Sequence, residues 1–341
     1  MSESYDALLV VSFGGPEGPD DVLPFLENVL RGRNVPRERL LAVAKHYELF
    51  GGVSPINHQN RNLIAALEQQ FELNGPRLPI YFGNRNWHPF LADALRQMRD
   101  DGIRNALAFV TSAFSSYSSC RQYLEDIERA RTSVGPHAPR VEKLRAFYNH
   151  PGFIGANVDH IREALAKASD AVREHATILF TAHSIPESMA ANCKYQSQLL
   201  ETCRLVSERL GIKNWQLVFQ SRSGSPAQPW LGPDVCDHLR ELFGRGVREV
   251  VVAPVGFVSD HMEIIYDLDL QARELCEQLG MTMHRAATAG THPAFVSMIR
   301  ELIMERISSA APADEGPSKI SARVCFSDGC CISGSERSRL A

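Results

Sequence analysis

The sequence predicts an α/β fold of two similar doubly wound, Rossmann-like lobes, each built on a parallel sheet. Three observations carry this prediction. Short apolar, β-branched runs recur along the chain, amphipathic helical patterns separate them, and the alternation occurs twice, up to about residue 150 and again from about residue 176. Runs that are apolar on both faces suit strands covered by helices on both sides, as in a parallel sheet. Strands and helices alternating at this spacing point to a doubly wound architecture. The length agrees, since 341 residues at about 150 per domain make about two domains.

The predicted strands, in order, are Ala7 to Phe13, Leu78 to Phe82, Ala106 to Thr111, Ile178 to Ala182, Gln216 to Gln220 and Val247 to Val255. The predicted helices are Asn60 to Glu72, Pro89 to Asp100, Phe153 to His175, Tyr195 to Leu210, Asp234 to Phe243 and Ile264 to Leu279, each with apolar residues at helical spacing. The Phe153 to His175 helix connects the two series. Residues 1–150 are thus expected to form an N-terminal lobe and residues 151–307 a C-terminal lobe. After Ile307 small polar residues take over, and Arg323 to Ala341 is rich in Cys, Ser and Gly, so residues 308–341 are expected to be a tail. No fixed-period repeat is present, which argues against a solenoid.

Composition narrows the function classes. With 44% hydrophobic and 22% charged residues the chain has material for a core, and wholesale disorder is excluded. A net charge of −4 without a long basic run makes nucleic acid a poor partner. Met1 to Asp6 is polar and acidic rather than leader-like, and no run approaches the roughly 18 apolar residues that span a bilayer. A cytoplasmic protein is expected. In that compartment the eight cysteines read as thiols or metal ligands rather than disulfides.

In open parallel sheets ligands bind beyond the carboxyl ends of the strands. The first strand ends in Ser12-Phe13-Gly14-Gly15-Pro16-Glu17-Gly18, whose glycines are not spaced as a dinucleotide fingerprint. Another ends in Thr181-Ala182-His183-Ser184-Ile185-Pro186. It presents an imidazole suited to general base work, or one merely satisfied by a backbone carbonyl. A third continues as Val255 to Glu263 into a helix with Asp267 and Asp269. On a helix Glu263 and Asp267 share a face, with Asp260 a turn earlier, and could relay protons or guide a cation. Asp260-x-x-Glu263 equally fits a capping box. Arg85-Asn86-Trp87-His88-Pro89, Phe114-Ser115-Ser116-Tyr117 and Gln220 to Leu231 add cationic and aromatic residues at strand ends. This mixture suits a large flat ligand with an apolar body and anionic edges, although core packing explains each aromatic separately.

Five segments in register resemble the ferrochelatase family: Leu9 to Gly18, Gly51-Gly52-Val53-Ser54-Pro55, Thr181 to Pro186, Gln220-Ser221-Arg222 with Pro229-Trp230-Leu231-Gly232-Pro233, and Gly256 to Glu263. The resemblance covers about residues 5 to 305. It implies a chelatase-like fold with a porphyrin cleft between the lobes, and insertion of Fe²⁺ into the ring in haem biosynthesis. It also implies His183 and Glu263 as catalytic residues, with His183 accepting pyrrole protons while neutral, and His183, Glu263 and Asp267 on the path of the iron. Phe13, Ser54, Arg85, Tyr117, Trp230, Asp260 and His261 are the implied porphyrin contacts, Arg85 and Ser54 holding propionates. Some members have Tyr where this chain has Phe13, which removes a metal-ligand role there, and Asn86 also departs from the family pattern.

The tail fits a further family feature, a [2Fe-2S] cluster. Cys325, Cys330 and Cys331 supply three thiolates, with Cys193 as the fourth and Cys120 as the alternative; zinc or unliganded thiols are the competing readings. The wording of Phe13 to Gly18, Arg31-Gly32-Arg33 and Phe50 to Asn57 resembles the branch that metallates coproporphyrin III to coprohaem, with protoporphyrin IX as the alternative substrate. Leu23, Leu26, Val29 and Leu30 form a stripe expected to cover the porphyrin, with weak peripheral membrane contact as the other reading. A monomer is expected. A cobalt or nickel chelatase and a non-catalytic tetrapyrrole carrier are the rival functions.

Overall fold

The computed structural model describes residues 4–32, 35–169, 177–223 and 227–310. Among them are two four-stranded, all-parallel sheets. The first contains β1 (Ala7–Ser12), β2 (Ile80–Asn84), β3 (Asn105–Val110) and β4 (Arg140–Lys143), in the order β2-β1-β3-β4. The second contains β5 (Ile178–His183), β6 (Trp215–Gln220), β7 (Glu249–Ala253) and β8 (Thr282–Arg285), in the order β6-β5-β7-β8. The two orders are the same, so the repeated pattern in the sequence is a repeat of topology. In each sheet the chain turns back beside the first strand, and the tips of that strand and its two neighbours surround the switch point where ligands bind.

Each sheet is the centre of its own core. In the first unit, helix Leu91–Asp100 buries Leu91, Ala94, Leu95 and Met98 against Leu9, Val11, Ala106 and Ala108. That i, i+3, i+4, i+7 spacing makes one stripe on a helix, which is why the segment covers a sheet. In the second unit, helix Val235–Gly244 does the same with Val235, Leu239 and Leu242 against Val218, Val250 and Val252. Its Asp234 caps the first turn by accepting the amides of Cys236 and Asp237.

A single cut near residue 150 is too simple. The first compact unit takes residues 4–112 and 121–146 and the final helix from Val296, whereas the second takes residues 113–120 and 147–295. The final helix, Pro293–Ala310, is bound to the first unit by side chains. Arg306 makes a two-pronged contact with Glu142, one arm at 2.8 Å, Arg145 pairs with Glu305, and Arg300 donates to the carbonyl of Gly75. The expected Phe153 to His175 helix runs over Pro151–Leu165, and residues 170–176 lie outside the described ones. Expected β2 shifts by two residues to Ile80–Asn84, expected Val247 to Val255 shortens by two residues at each end to Glu249–Ala253, and β4 and β8 were not expected. Both are four-residue edge strands, Arg-Val-Glu-Lys and Thr-Met-His-Arg, whose charges hide the strand pattern but suit an edge. No described helix is long and apolar enough to cross a membrane.

Candidate active site

The second unit brings together the imidazole and carboxylates that the sequence places far apart. His183 is the last residue of β5, in register with Gln220 at the end of β6. Beyond β7, the Gly256 amide donates to the carbonyl of Thr181, so the following loop lies on the tip of β5. A Cβ on Gly256 would stand 2.6 Å from the Cα and Cβ of Ala182, so only glycine allows this approach. The loop ends at His261, whose Nδ1 accepts the Glu263 amide at 3.1 Å and starts a short helical turn, Met262–Ile264. Glu263 is thereby delivered to His183, with Nε2 to Oε1 at 3.3 Å.

The neighbours fix the tautomer. His183 Nδ1 donates to the carbonyl of Ser184, so Nε2 is the nitrogen that meets the carboxylate. Tyr195 Oη donates to the carbonyl of His183, and Ser184 Oγ donates to that of Leu231. Burial by itself would lower the His183 pKa, but the Glu263 carboxylate opposes it and the net shift is upward. For Glu263, burial acts upward and the His183 charge carries the carboxyl below its ordinary range. The Glu263 carboxylate thus favours the protonated form of His183, against the neutral imidazole expected from its ordinary range. The side chains remain 32% and 45% exposed, so the pair is open to substrate.

Asp267 sits in a π-helical stretch, Ile265–Ala272, where a continuous α-helix was expected. Composition does not distinguish the two, and π turns are frequent at functional sites. Burial pushes the Asp267 carboxyl up to about 7, with the Ser221 hydroxyl bond acting against it.

Other expected site residues are placed differently. Asp260 does not cap a helix or stand in an open polar track. Both its oxygens meet Arg285, at 3.2 and 3.3 Å, because that guanidinium needs acidic partners and also holds Asp269 at 2.6 Å. His261 acts as the cap instead, its ring edge-on to Phe257, and burial lowers its pKa. Trp230 bridges to Pro186, just after His183, and its buried indole N–H has no acceptor among the described residues. Tyr117 is partly exposed at the start of a π turn, Tyr117–Arg121.

In the first unit Phe13 keeps an exposed ring, 38% accessible, edge-on to Phe25. Arg85 and Ser54 do not present open propionate binders. The Arg85 side chain is 6% exposed, pairs with Asp126 at 2.5 Å and lies over Tyr123, so its charge is already matched. Ser54 is 4% exposed and packs where a Cβ on Gly15 would be, 2.6 Å from the Ser54 Cβ. Within the stripe, Leu26 is buried and Leu23 is exposed. Cys193 is partly exposed and Cys120 buried, while Cys325, Cys330 and Cys331 lie outside the described residues. Among the described residues there is no ready-made group of three metal-ligating side chains. The sequence reading did not assign roles to Gln220, Ser221 or Tyr195, although the first two follow an apolar strand, the position that flagged His183.

The ferrochelatase family model matches residues 5–307. The chain belongs to the ferrochelatase family. It is a metal chelatase, a lyase that inserts iron into a porphyrin in haem biosynthesis. A ferrochelatase of Rhodopirellula baltica is 58% identical, over 90% of this chain and 88% of that protein. A coproporphyrin III ferrochelatase of Streptomyces coelicolor is 51% identical, over 89% and 85%. Among solved structures, SirB from Bacillus subtilis with Fe³⁺ superposes with a TM-score of 0.55 at 11% identity, over 90% of this ferrochelatase and 97% of SirB. That likeness concerns the fold alone.

Proposed function

We propose that this ferrochelatase inserts Fe²⁺ into coproporphyrin III to give coprohaem, with His183 and Glu263 as its catalytic residues. The observation that carries the reading is the 3.3 Å approach of His183 Nε2 to Glu263 Oε1 beyond the strand tips. The similarity to a coproporphyrin III ferrochelatase over most of the chain supports the porphyrin. Insertion exchanges two pyrrole N–H protons for one divalent ion. Glu263 and Asp267 offer oxygens to the incoming Fe²⁺, with His183 beside them. As the ion reaches Glu263, its charge offsets the attraction that holds a proton on His183 Nε2. The imidazole then releases that proton to solvent, and its lone pair takes the first pyrrole proton, releases it to solvent and takes the second, so that two protons leave for one divalent ion. Asp267, whose carboxyl burial raises to about 7, gives up its own proton to solvent as it meets the ion. Trp230, Tyr117 and Phe13 are the proposed apolar contacts.

The same reading places the protein in the cytoplasm as a monomer. It also assigns Cys325, Cys330 and Cys331, with Cys193, to a [2Fe-2S] cluster. The interior thiol fits: Cys193 is partly exposed, with a long 3.7 Å contact to the Ala190 carbonyl and the Tyr195 amide beside its sulfur, whereas Cys120 is buried. Burial raises the Cys193 pKa, so ligation would have to displace its proton. When bound, the cluster would supply a redox-sensitive clip. Iron and sulfide in anaerobically purified protein test it, and zinc or no metal would refute it.

The deciding experiment is anaerobic Fe²⁺ insertion with coproporphyrin III and protoporphyrin IX side by side, in wild type and His183→Ala. Coproporphyrin is expected to react faster, and His183→Ala to bind porphyrin without metallating it. The opposite preference would transfer the assignment to protoporphyrin IX, and normal insertion by His183→Ala would reject the base. Binding without insertion by the wild type would make the protein a carrier.

A further inference from the structure

We infer that Gln220 and Ser221 are positioning residues that set the Asp267 carboxylate and the Glu263 turn for the metal. The inference rests on the proposed function and deepens it. Gln220 is 1% exposed, and its Nε2 donates to the Glu263 backbone carbonyl at 2.7 Å and reaches Asp267 Oδ2 at 3.5 Å. Ser221 Oγ donates to the same Asp267 oxygen. Both donors thus converge on Oδ2 and leave Oδ1 as the oxygen for a cation.

Two features of this pair run against stability. Gln220 Oε1 is buried without a partner among the described residues, an arrangement that an apolar side chain of similar size would avoid. Ser221 has φ +59°, and it is the one described non-glycine residue at positive φ. Serine is unfavourable in that left-handed conformation, where glycine is at ease. What the conformation accomplishes is local: the chain leaves β6 with the Ser221 hydroxyl on Asp267. Neither Gln220 nor Ser221 needs to touch the reacting atoms. They act through Asp267 and through the turn that carries Glu263.

The test is Ser221→Gly, which deletes the hydroxyl while accepting the backbone, with Gln220→Leu as a second variant. Anaerobic insertion kinetics are measured with Fe²⁺ and with porphyrin varied in turn, beside thermal unfolding. For Ser221→Gly the melting midpoint is expected to equal or exceed that of wild type. Its porphyrin KM should stay within about twofold, and its Fe²⁺ KM should rise about tenfold, the loss of one hydrogen bond to a charged group. Gln220→Leu should move Fe²⁺ KM in the same direction, and Ser221→Asn, which tolerates positive φ and restores a donor, should recover part of the loss. An unchanged Fe²⁺ KM, a rise in porphyrin KM alone, or an unfolded Ser221→Gly protein would overturn the inference. His183→Ala is run in parallel. If it inserts iron normally the proposed function fails, whereas an inactive His183→Ala beside an unaffected Ser221→Gly removes only this inference.

Discussion

Replacing Glu263 by Gln keeps the size of the side chain and removes the charge that faces His183. At 3.3 Å, two unit charges interact by about 1 kcal/mol in water and about 5 kcal/mol at an effective dielectric constant of 20. With the side chains 32% and 45% exposed, solvent screening brings the value to about 2 kcal/mol, equivalent to about 1.5 pKa units. His183 in Glu263→Gln is therefore expected to titrate about 1.5 units lower than in wild type, because burial then acts on it without the opposing carboxylate. Two-dimensional ¹H–¹⁵N spectra of the imidazole rings, followed with pH and assigned through His183→Ala, measure this directly. Iron insertion should fall about a hundredfold or more, the usual contribution of a proton-transfer group, with the melting midpoint little changed. An unchanged His183 titration would refute the ion pair. Lost thermal stability at an unchanged rate would assign Glu263 to the fold instead.

Asp267→Asn should be more stable than wild type at pH 8 by about 4 kcal/mol, and equal to it near pH 4. Its carboxyl pKa is raised by burial to about 7, so the folded state holds a proton that the unfolded state releases, and wild-type stability falls as pH rises between the two pKa values. Denaturant midpoints at both pH values check the sign, and a more stable wild type at pH 8 would contradict it. Arg85→Ala should cost about 1–3 kcal/mol, because the little-exposed Asp126 then keeps only the exposed Arg129 guanidinium as its ionic partner. A raised porphyrin KM at unchanged stability would restore the propionate role to Arg85. Gly256→Ala should lose about 1–3 kcal/mol through the clash with Ala182 and slow insertion, as read from thermal unfolding and rate; a neutral outcome would show that the loop can yield.

The strands most readily found in the sequence were those covered on both faces. β1, β3 and β5 are apolar almost throughout because helices pack on both sides, and their runs mark them without a partner. β4 and β8 escaped because an edge strand of four residues needs its hydrogen-bond partner more than its own composition. The π-helical stretch escaped for a related reason: its side chains would serve an α-helix equally well.

Site residues divide in the same way. His183 and Glu263 could be found from the sequence because strand ends in a parallel sheet are where chemistry gathers, and because their motifs are those of a family. Residue type and order alone thus determined the two-lobed α/β class, the ferrochelatase motifs and the candidate imidazole and acids. Only the tertiary structure decided which charge meets which. It joined Glu263 to His183 and so raised the proton affinity of the imidazole, paired Arg85 with Asp126 and Asp260 with Arg285, and set Gln220 and Ser221 against Asp267. The physical reason is that electrostatic and hydrogen-bond energies depend on separation and burial, which are properties of packed space rather than of position along the chain.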